Sequence, residues 1–401
     1  MRQDLLDRVH EAITARAPEL VALRRHLHQH PELSAQERDT TRALADALSA
    51  RGLEVRVRPE GTGLIADLWP PGFDPARHRT VALRCDLDAL PITEQTGLPF
   101  ASQRAGVMHA CGHDMHTACV IGASLGLEAA RDALPGRVRL ICQHNEEDTP
   151  GGADEMVAFG AMDGVDEVLG LHCDPELPLG RVGLKVGALT AAADLFEIQI
   201  HGKGGHSARP HHAVDAIFVA AQVAVALYQG LGRLLDARDP AVLAIGAIHA
   251  GQAHNIIPAE ATLRGTVRTL SHAQRARVEP TLRALLDGVC ATWGARGELT
   301  LRRGSPPVIN DARAVAALRA AAAATLGPDA IHDLPLPSMG AEDFSQYLTV
   351  APGAMFRLGT ARPGQPLHLL HSPRFDPDER ALPLGAAILA RAALALLADP
   401  R

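Results

Sequence analysis

The chain has 401 residues, 47% hydrophobic and 21% charged, so it can bury a sizeable core and is not a disordered tail. At ~150 residues per domain, that length suggests roughly two to three folding units. A balance of 39 Lys and Arg against 46 Asp and Glu gives a formal charge of −7 without a basic block, which argues against a nucleic-acid-binding surface.

Residues 4–30 read as a helix pair broken near Pro18, with Leu20, Val21, Leu23 and Leu27 at helical spacing and Arg24 and Arg25 expected on a solvated face. The N-terminus is charged throughout and lacks the apolar core and cleavage site of an export signal, so a cytoplasmic protein is expected. A helix near Asp39–Arg51 precedes β-rich runs at Leu53–Arg58, Leu64–Trp69 and Thr80–Cys85. From His113 the pattern is helical to about Arg131. A strand at Arg137–Gln143, a helix near Ala153–Phe159 and a strand at Glu167–Cys173 follow. Such alternation implies an α/β domain whose mostly parallel central sheet is flanked by helices.

The period changes after about Gly187. Strands at Asp194–His201, Val242–His249, Ala261–Thr269 and Glu298–Arg302, with helices at Ala213–Leu235 and Ser271–Thr292, make a βαββαβ set, the composition of a small two-layer α/β sandwich. Past Pro306 and Pro307 the first pattern resumes, with a helix near Asp311, a strand at Ala354–Leu358 and a final apolar helix. Pro383 and Arg391 within Ala381–Ala398 favour a buried helix over a membrane span. The expected organisation is therefore one domain of residues 1–186 and 306–401, interrupted by an inserted domain of residues 187–305.

The densest chemical signal is HACGHDMH at 109–116, three His, one Cys and one Asp in eight residues. Thiolate, imidazole and carboxylate bind divalent transition metals, and Cys111 and His113 could both reach one site. His116, three residues after His113 on a similar helix face, reads equally as a further functional His or as a supporting or packed side chain. Asp86 and Asp88 follow one predicted strand, Glu146 and Glu147 another, and His172 ends a third, where α/β folds present functional groups. His371 lies in the segment that returns to the first domain. One Cys, several His and an acidic pair suit a two-metal centre better than a closed structural zinc site. The loop GKGGHSARP at 202–210 lacks a phosphate-binding signature. A thiol amidase with Cys111 as nucleophile would leave Glu146, Glu147, His172 and His371 unexplained. The other cysteines, Cys85 among them, are expected to be reduced and mostly buried.

These motifs, in order along nearly the whole chain, resemble the aminoacylase and hippurate hydrolase branch of the co-catalytic metallopeptidases, which includes hydrolases of indole-acetyl amino acids. The resemblance rests on LRRHLHQHPELSAQE at 23–37, ALRCDLDALPITE at 82–94, MHACGHDMH at 108–116, the Glu146-Glu147 pair with GGADEM, and GLHCDPELPLG at 170–180. It continues through GKGGHSARPHHAVD at 202–215, GQAHNIIPAEATLRGTVRT at 251–269, SMGAEDFSQY at 338–347 and LHSPRFD at 370–376. It implies a catalytic α/β domain with a lid domain that mediates dimerisation, so a homodimer is expected.

Carried over by position, the resemblance implies Cys111, His113, Glu147, His172 and His371 as ligands of two divalent cations, zinc or manganese first and cobalt or nickel as alternatives. It implies Glu146 as general base, Asp88 as the acid behind the centre, His206 as a stabiliser of the developing oxyanion in a partner's site, and Asn255, Arg268 and Gly340 as substrate contacts. Asp86 stands where related branches place a ligand His, and is not expected to ligate. His144 and Asn145 depart from the branch's usual residues before the acidic pair and are expected to alter the pocket wall or the local turn. The expected reaction is hydrolysis of N-acyl amino acids by metal-activated water. A dipeptidase or carboxypeptidase on the same centre and a non-catalytic metal- or ligand-binding homologue are the alternatives.

Overall fold

The computed structural model describes residues 3–399, which form two compact units. One comprises the chain up to Gly187 with Ile309–Leu336 and the stretch from Asp343 onward; the other comprises Ala188–Val308 and Pro337–Glu342. The sequence reading gave residues 337–342 to the larger domain. They belong with the smaller one because their partners lie there: Ser338 N–H donates to the Leu189 carbonyl at 2.9 Å, and Ala191 N–H to the Gly340 carbonyl at 3.0 Å.

The larger unit is built on an eight-stranded sheet in the spatial order Glu54–Val57, Leu64–Leu68, Arg137–Gln143, Thr80–Asp86, Glu167–Pro178, Gly353–Ala361, Val182–Leu184 and Ile331–Asp333. Its four central strands run parallel, with Asp86 opposite Gln143 and Arg357 opposite His172. Their carboxyl ends therefore open on one edge, from which the loops bearing Asp88, Glu146 and Glu147 emerge. Every residue of Leu64–Leu68, Thr80–Asp86 and Arg137–Gln143 is buried, as expected for strands covered on both faces. The last two strands of this order, Val182–Leu184 and Ile331–Asp333, have three residues each, too short to show a period in sequence.

Helices Gln3–Ala15 and Ala17–Gln29 break at Arg16, with Pro18 in the first turn of the second, where its missing N–H costs nothing. Helix His113–Ala129 is buried along its first four turns and packs against Ala381–Ala398 and both N-terminal helices. Ala381–Ala398 and Ala216–Leu234 are long and apolar enough to cross a membrane, but Ala381–Ala398 has most of its residues buried in the core.

The expected solvated face of the second helix is wrong at Arg24. Its side chain is fully buried and donates to Asp114 at 2.8 Å and Glu379 at 3.1 Å, while Arg25 stays exposed and also pairs with Glu379. Helical spacing cannot foresee carboxylates supplied from residues 114 and 379.

The smaller unit has an antiparallel sheet in the order Ala241–Ala250, Glu260–Thr269, Ala192–His201 and Arg296–Arg302. Strand Ala192–His201 buries alternate residues beneath helices Ala216–Leu234 and His272–Trp293. Asp215 and Ser271 cap these helices by accepting N–H bonds from their first turns.

Candidate metal centre

Gly112 starts the site. It sits at φ +89 as N-cap of the buried helix, and a Cβ there would lie 2.2 Å from Cys173 Sγ. Only glycine lets the chain turn from Cys111 into His113 at that spacing. The Cys173 thiol donates to the Cys111 carbonyl at 3.2 Å, which fastens this turn to the strand bearing His172.

Cys111, His113 and Glu147 offer ligand atoms that all lie within 4.8 Å of one another. His113 Nδ1 donates to the Asp88 carbonyl at 2.8 Å and approaches Asp88 Oδ1 at 3.2 Å, so Nε2 is the nitrogen left to face the centre. That Nε2 is buried without a hydrogen-bond partner, 3.7 Å from Glu147 Oε1 and 3.9 Å from Glu146 Oε2. His172 repeats the arrangement: Nδ1 donates to the Cys173 carbonyl at 2.7 Å, leaving Nε2 3.5 Å from Cys111 Sγ. His371, half-exposed at φ +64, places Nε2 3.4 Å from Glu147 Oε1, and its N–H donates to the Ala110 carbonyl.

The electrostatics suit cations. Burial and the Glu147 carboxylate push the Cys111 thiol well above its ordinary range, a balance that a divalent ion reverses. Burial lowers the basicity of His113, but Asp86 and Asp88 outweigh it and raise its pKa well above the usual value. Acids that hold a proton there would hold a cation in its place. Burial, with Arg357 nearby, lowers His172 well below the ordinary imidazole range and keeps it neutral, as a metal ligand must be. Glu147 stays low despite burial because His371 and His113 face it. A thiol, three imidazoles and a carboxylate, with His113 Nε2 and Glu147 Oε1 buried and unbonded, fit divalent transition metals.

Asp86 is otherwise engaged. It takes Arg84 on one oxygen and His116 Nδ1 on the other at 2.8 Å, and His116 Nε2 accepts the Cys173 N–H at 2.9 Å. Arg84 also donates to Gln143 and to Asp343, both at 2.9 Å. Asp343 and Tyr347 had no assigned role within the SMGAEDFSQY motif; no periodicity would have placed them against Arg84 and Gln143. Asp88 accepts Glu147 N–H at 2.9 Å as well as facing His113. His144 is buried against Arg58 at 2.6 Å and Glu155 at 2.9 Å, and its carbonyl and ring lie close against Gly152, so of the two expected effects it takes part in the local turn. Asn145 does shape the turn, at φ +53. Cys85 is fully buried opposite Cys142, as a small apolar side chain would be, and all six cysteines are free and buried.

In the smaller unit, His206 pairs with Ile256 across a short antiparallel bridge, its Nδ1 accepts the Ala208 N–H, and Ser207 N–H donates to the Asn255 carbonyl. Arg268 donates to the Met339 carbonyl at 2.7 Å, beside Gly340, whose N–H is held by Ser338 Oγ. The structure thus brings His206 near Asn255, and Arg268 near Gly340.

An α/β sheet whose parallel strand ends gather these donors around an acidic pair defines a hydrolase that works through two divalent metal ions. The chain belongs to the family described as Peptidase family M20/M25/M40, whose model matches residues 82–395. It is 39% identical to the N-acetyl-L-cysteine deacetylase of Bacillus subtilis over 94% of this chain and 88% of that protein. It is 36% identical to thermostable carboxypeptidase 1 of Saccharolobus solfataricus over 98% of each. The crystal structure of Bacillus subtilis YXEP protein, a dinuclear metal-binding peptidase of the M20 family, superposes with a TM-score of 0.83 at 36% identity, covering 96% of this chain and 99% of that one.

Proposed function

We propose that this protein hydrolyses the amide bond of N-acyl amino acids, with Cys111, His113, Glu147, His172 and His371 holding zinc or manganese and Glu146 moving the proton. The observation that carries the reading is the placement of Glu146 Oε2 3.9 Å from His113 Nε2, next in sequence to Glu147, whose oxygen faces His113 and His371. When bound, the two cations lower the pKa of a water and polarise the scissile carbonyl. Glu146 accepts a proton from the attacking water and returns it to the departing nitrogen, so one water is consumed and a carboxylate and an amine are released. Asp88 keeps the His113 lone pair directed at the centre by holding Nδ1–H.

Arg268 is assigned to the substrate carboxylate, whose planar shape suits a guanidinium fork. Asn255 and Gly340 are assigned to substrate contacts, and His206 to the developing oxyanion. Pairing of two copies through the smaller unit, and a cytoplasmic location, belong to the same proposal. Similarity to a carboxypeptidase over the full length supports a second reading, in which a free peptide is the substrate of the same centre.

The test combines metal analysis with ninhydrin detection of amino acid released from acetyl, benzoyl and indole-acetyl conjugates, beside free dipeptides. Blocked amino acids are expected to turn over faster, and Glu146→Gln to cut kcat by about 10²–10⁴ with two metals still bound. Full activity of that variant at full metal occupancy refutes the role of Glu146; faster turnover of dipeptides favours the second reading.

A further inference from the structure

The end of the N-terminal motif, Ser34 to Glu37, has no part in the reaction as described, yet it reaches the turn that carries the acidic pair. Glu37 is fully buried, and its Oε1 accepts the Asn145 N–H at 2.8 Å and the Ala35 N–H at 3.0 Å. Its position before helix Arg38–Ala50 suggests a cap, but it makes no side-chain cap bond. Glu32 does that work, accepting N–H bonds from Asp39 and Thr40. Glu37 is thus free to serve residue 145.

Asp88 holds the other side. Its Oδ2 accepts the Glu147 N–H at 2.9 Å and the Ser34 hydroxyl at 2.7 Å. Two carboxylates tied to one short loop therefore hold the backbone amides immediately before and after Glu146. The turn has a conformation for that grip to hold: Asn145 is left-handed at φ +53, uncommon outside glycine although Asn adopts it more readily than most residues. The Asn145 carbonyl accepts the Gly152 N–H at 2.6 Å, so the loop beyond the pair hangs on the same residue.

We propose that Glu37 is a positioning residue for the reaction: with Asp88 it clamps the amides flanking Glu146 and fixes the direction in which that side chain leaves the backbone. The proposal rests on Glu146 being the proton carrier. Its function is to accept hydrogen bonds through Oε1. Glu37 Oε2 has no hydrogen-bond partner among the described residues, so an amide in its place breaks no bond.

Two variants of similar size separate acceptor from volume. Glu37→Gln keeps an oxygen for Asn145 N–H and is expected to retain kcat within about threefold. Glu37→Met removes it and is expected to lower kcat about tenfold to a hundredfold, the cost of a misdirected group, with KM within about twofold and two metals per chain in both. Hydrogen exchange in the metal-free protein gives a second readout: the Gly152 amide, which does not touch Glu37, should exchange about tenfold faster in Glu37→Met and normally in Glu37→Gln.

Wild-type kcat in Glu37→Met, equal damage in both variants, or activity lost in step with metal overturns the proposal. Unchanged Gly152 exchange does so as well. A fully active Glu146→Gln protein would instead overturn the assignment of the base, while the exchange pattern at Gly152 would still report on the clamp.

Discussion

His28 should make the stability of this protein fall as pH rises through the alkaline range. Its ring is fully buried, with Nδ1 2.9 Å from Asp114 Oδ2 and Nε2 3.3 Å from Glu94 Oε1. Both neighbours are carboxylates, and only the imidazolium can donate from both nitrogens. Burial opposes the charge and Arg24 adds to the opposition, but Asp114 and Glu94 outweigh them and raise the pKa to about 9. Against an unfolded value of about 6.5, that difference corresponds to ~3 kcal/mol, at 1.36 kcal/mol per unit. Because the folded value is the higher one, the folded chain binds the extra proton between the two values. The contribution is complete below about pH 6.5 and is lost as pH rises through 9. Urea unfolding of wild type and His28→Gln from pH 6 to 10, with chelator throughout, measures it. The gap between the two proteins should shrink by ~3 kcal/mol across that range. Parallel curves, with a gap independent of pH, would refute the reasoning.

Arg24→Met should destabilise the fold by about 3–5 kcal/mol, because Asp114 keeps its burial and loses its main cation; denaturant midpoints at pH 7 measure this. Gly112→Ala should lower both the melting temperature and metal occupancy, since its Cβ would meet Cys173 Sγ at 2.2 Å at a positive φ; normal metal content by atomic absorption would contradict the geometry. His116→Ala unbinds Asp86 and the Cys173 N–H beside His172 and should weaken metal affinity about 10–100-fold in chelator competition, by the usual effect of groups that orient ligands.

The alternation of strand and helix is written in local periodicity, so the larger sheet and the βαββαβ set are legible without coordinates. Ligand chemistry is equally legible, because side chains capable of binding metal are few and HACGHDMH crowds them together. Arg24 marks the limit of that kind of reading. A cation on one helix face carries no sign of being buried, and Asp114 and Glu379 become its partners only after the chain has closed on itself. The partners of His144 are hidden for the same reason: Arg58 and Glu155 reach it only through packing.

What the amino-acid order determined by itself was which residues carry chemistry and which elements hold them, since both follow from side-chain type and short-range spacing. Which nitrogen of each histidine faces the centre, which acid is tied up in a salt bridge, and what holds the turn before Glu146 were decided by tertiary structure alone. Hydrogen bonds act over about 3 Å, and that closeness between residues 37 and 145, or 88 and 113, exists only in the folded chain.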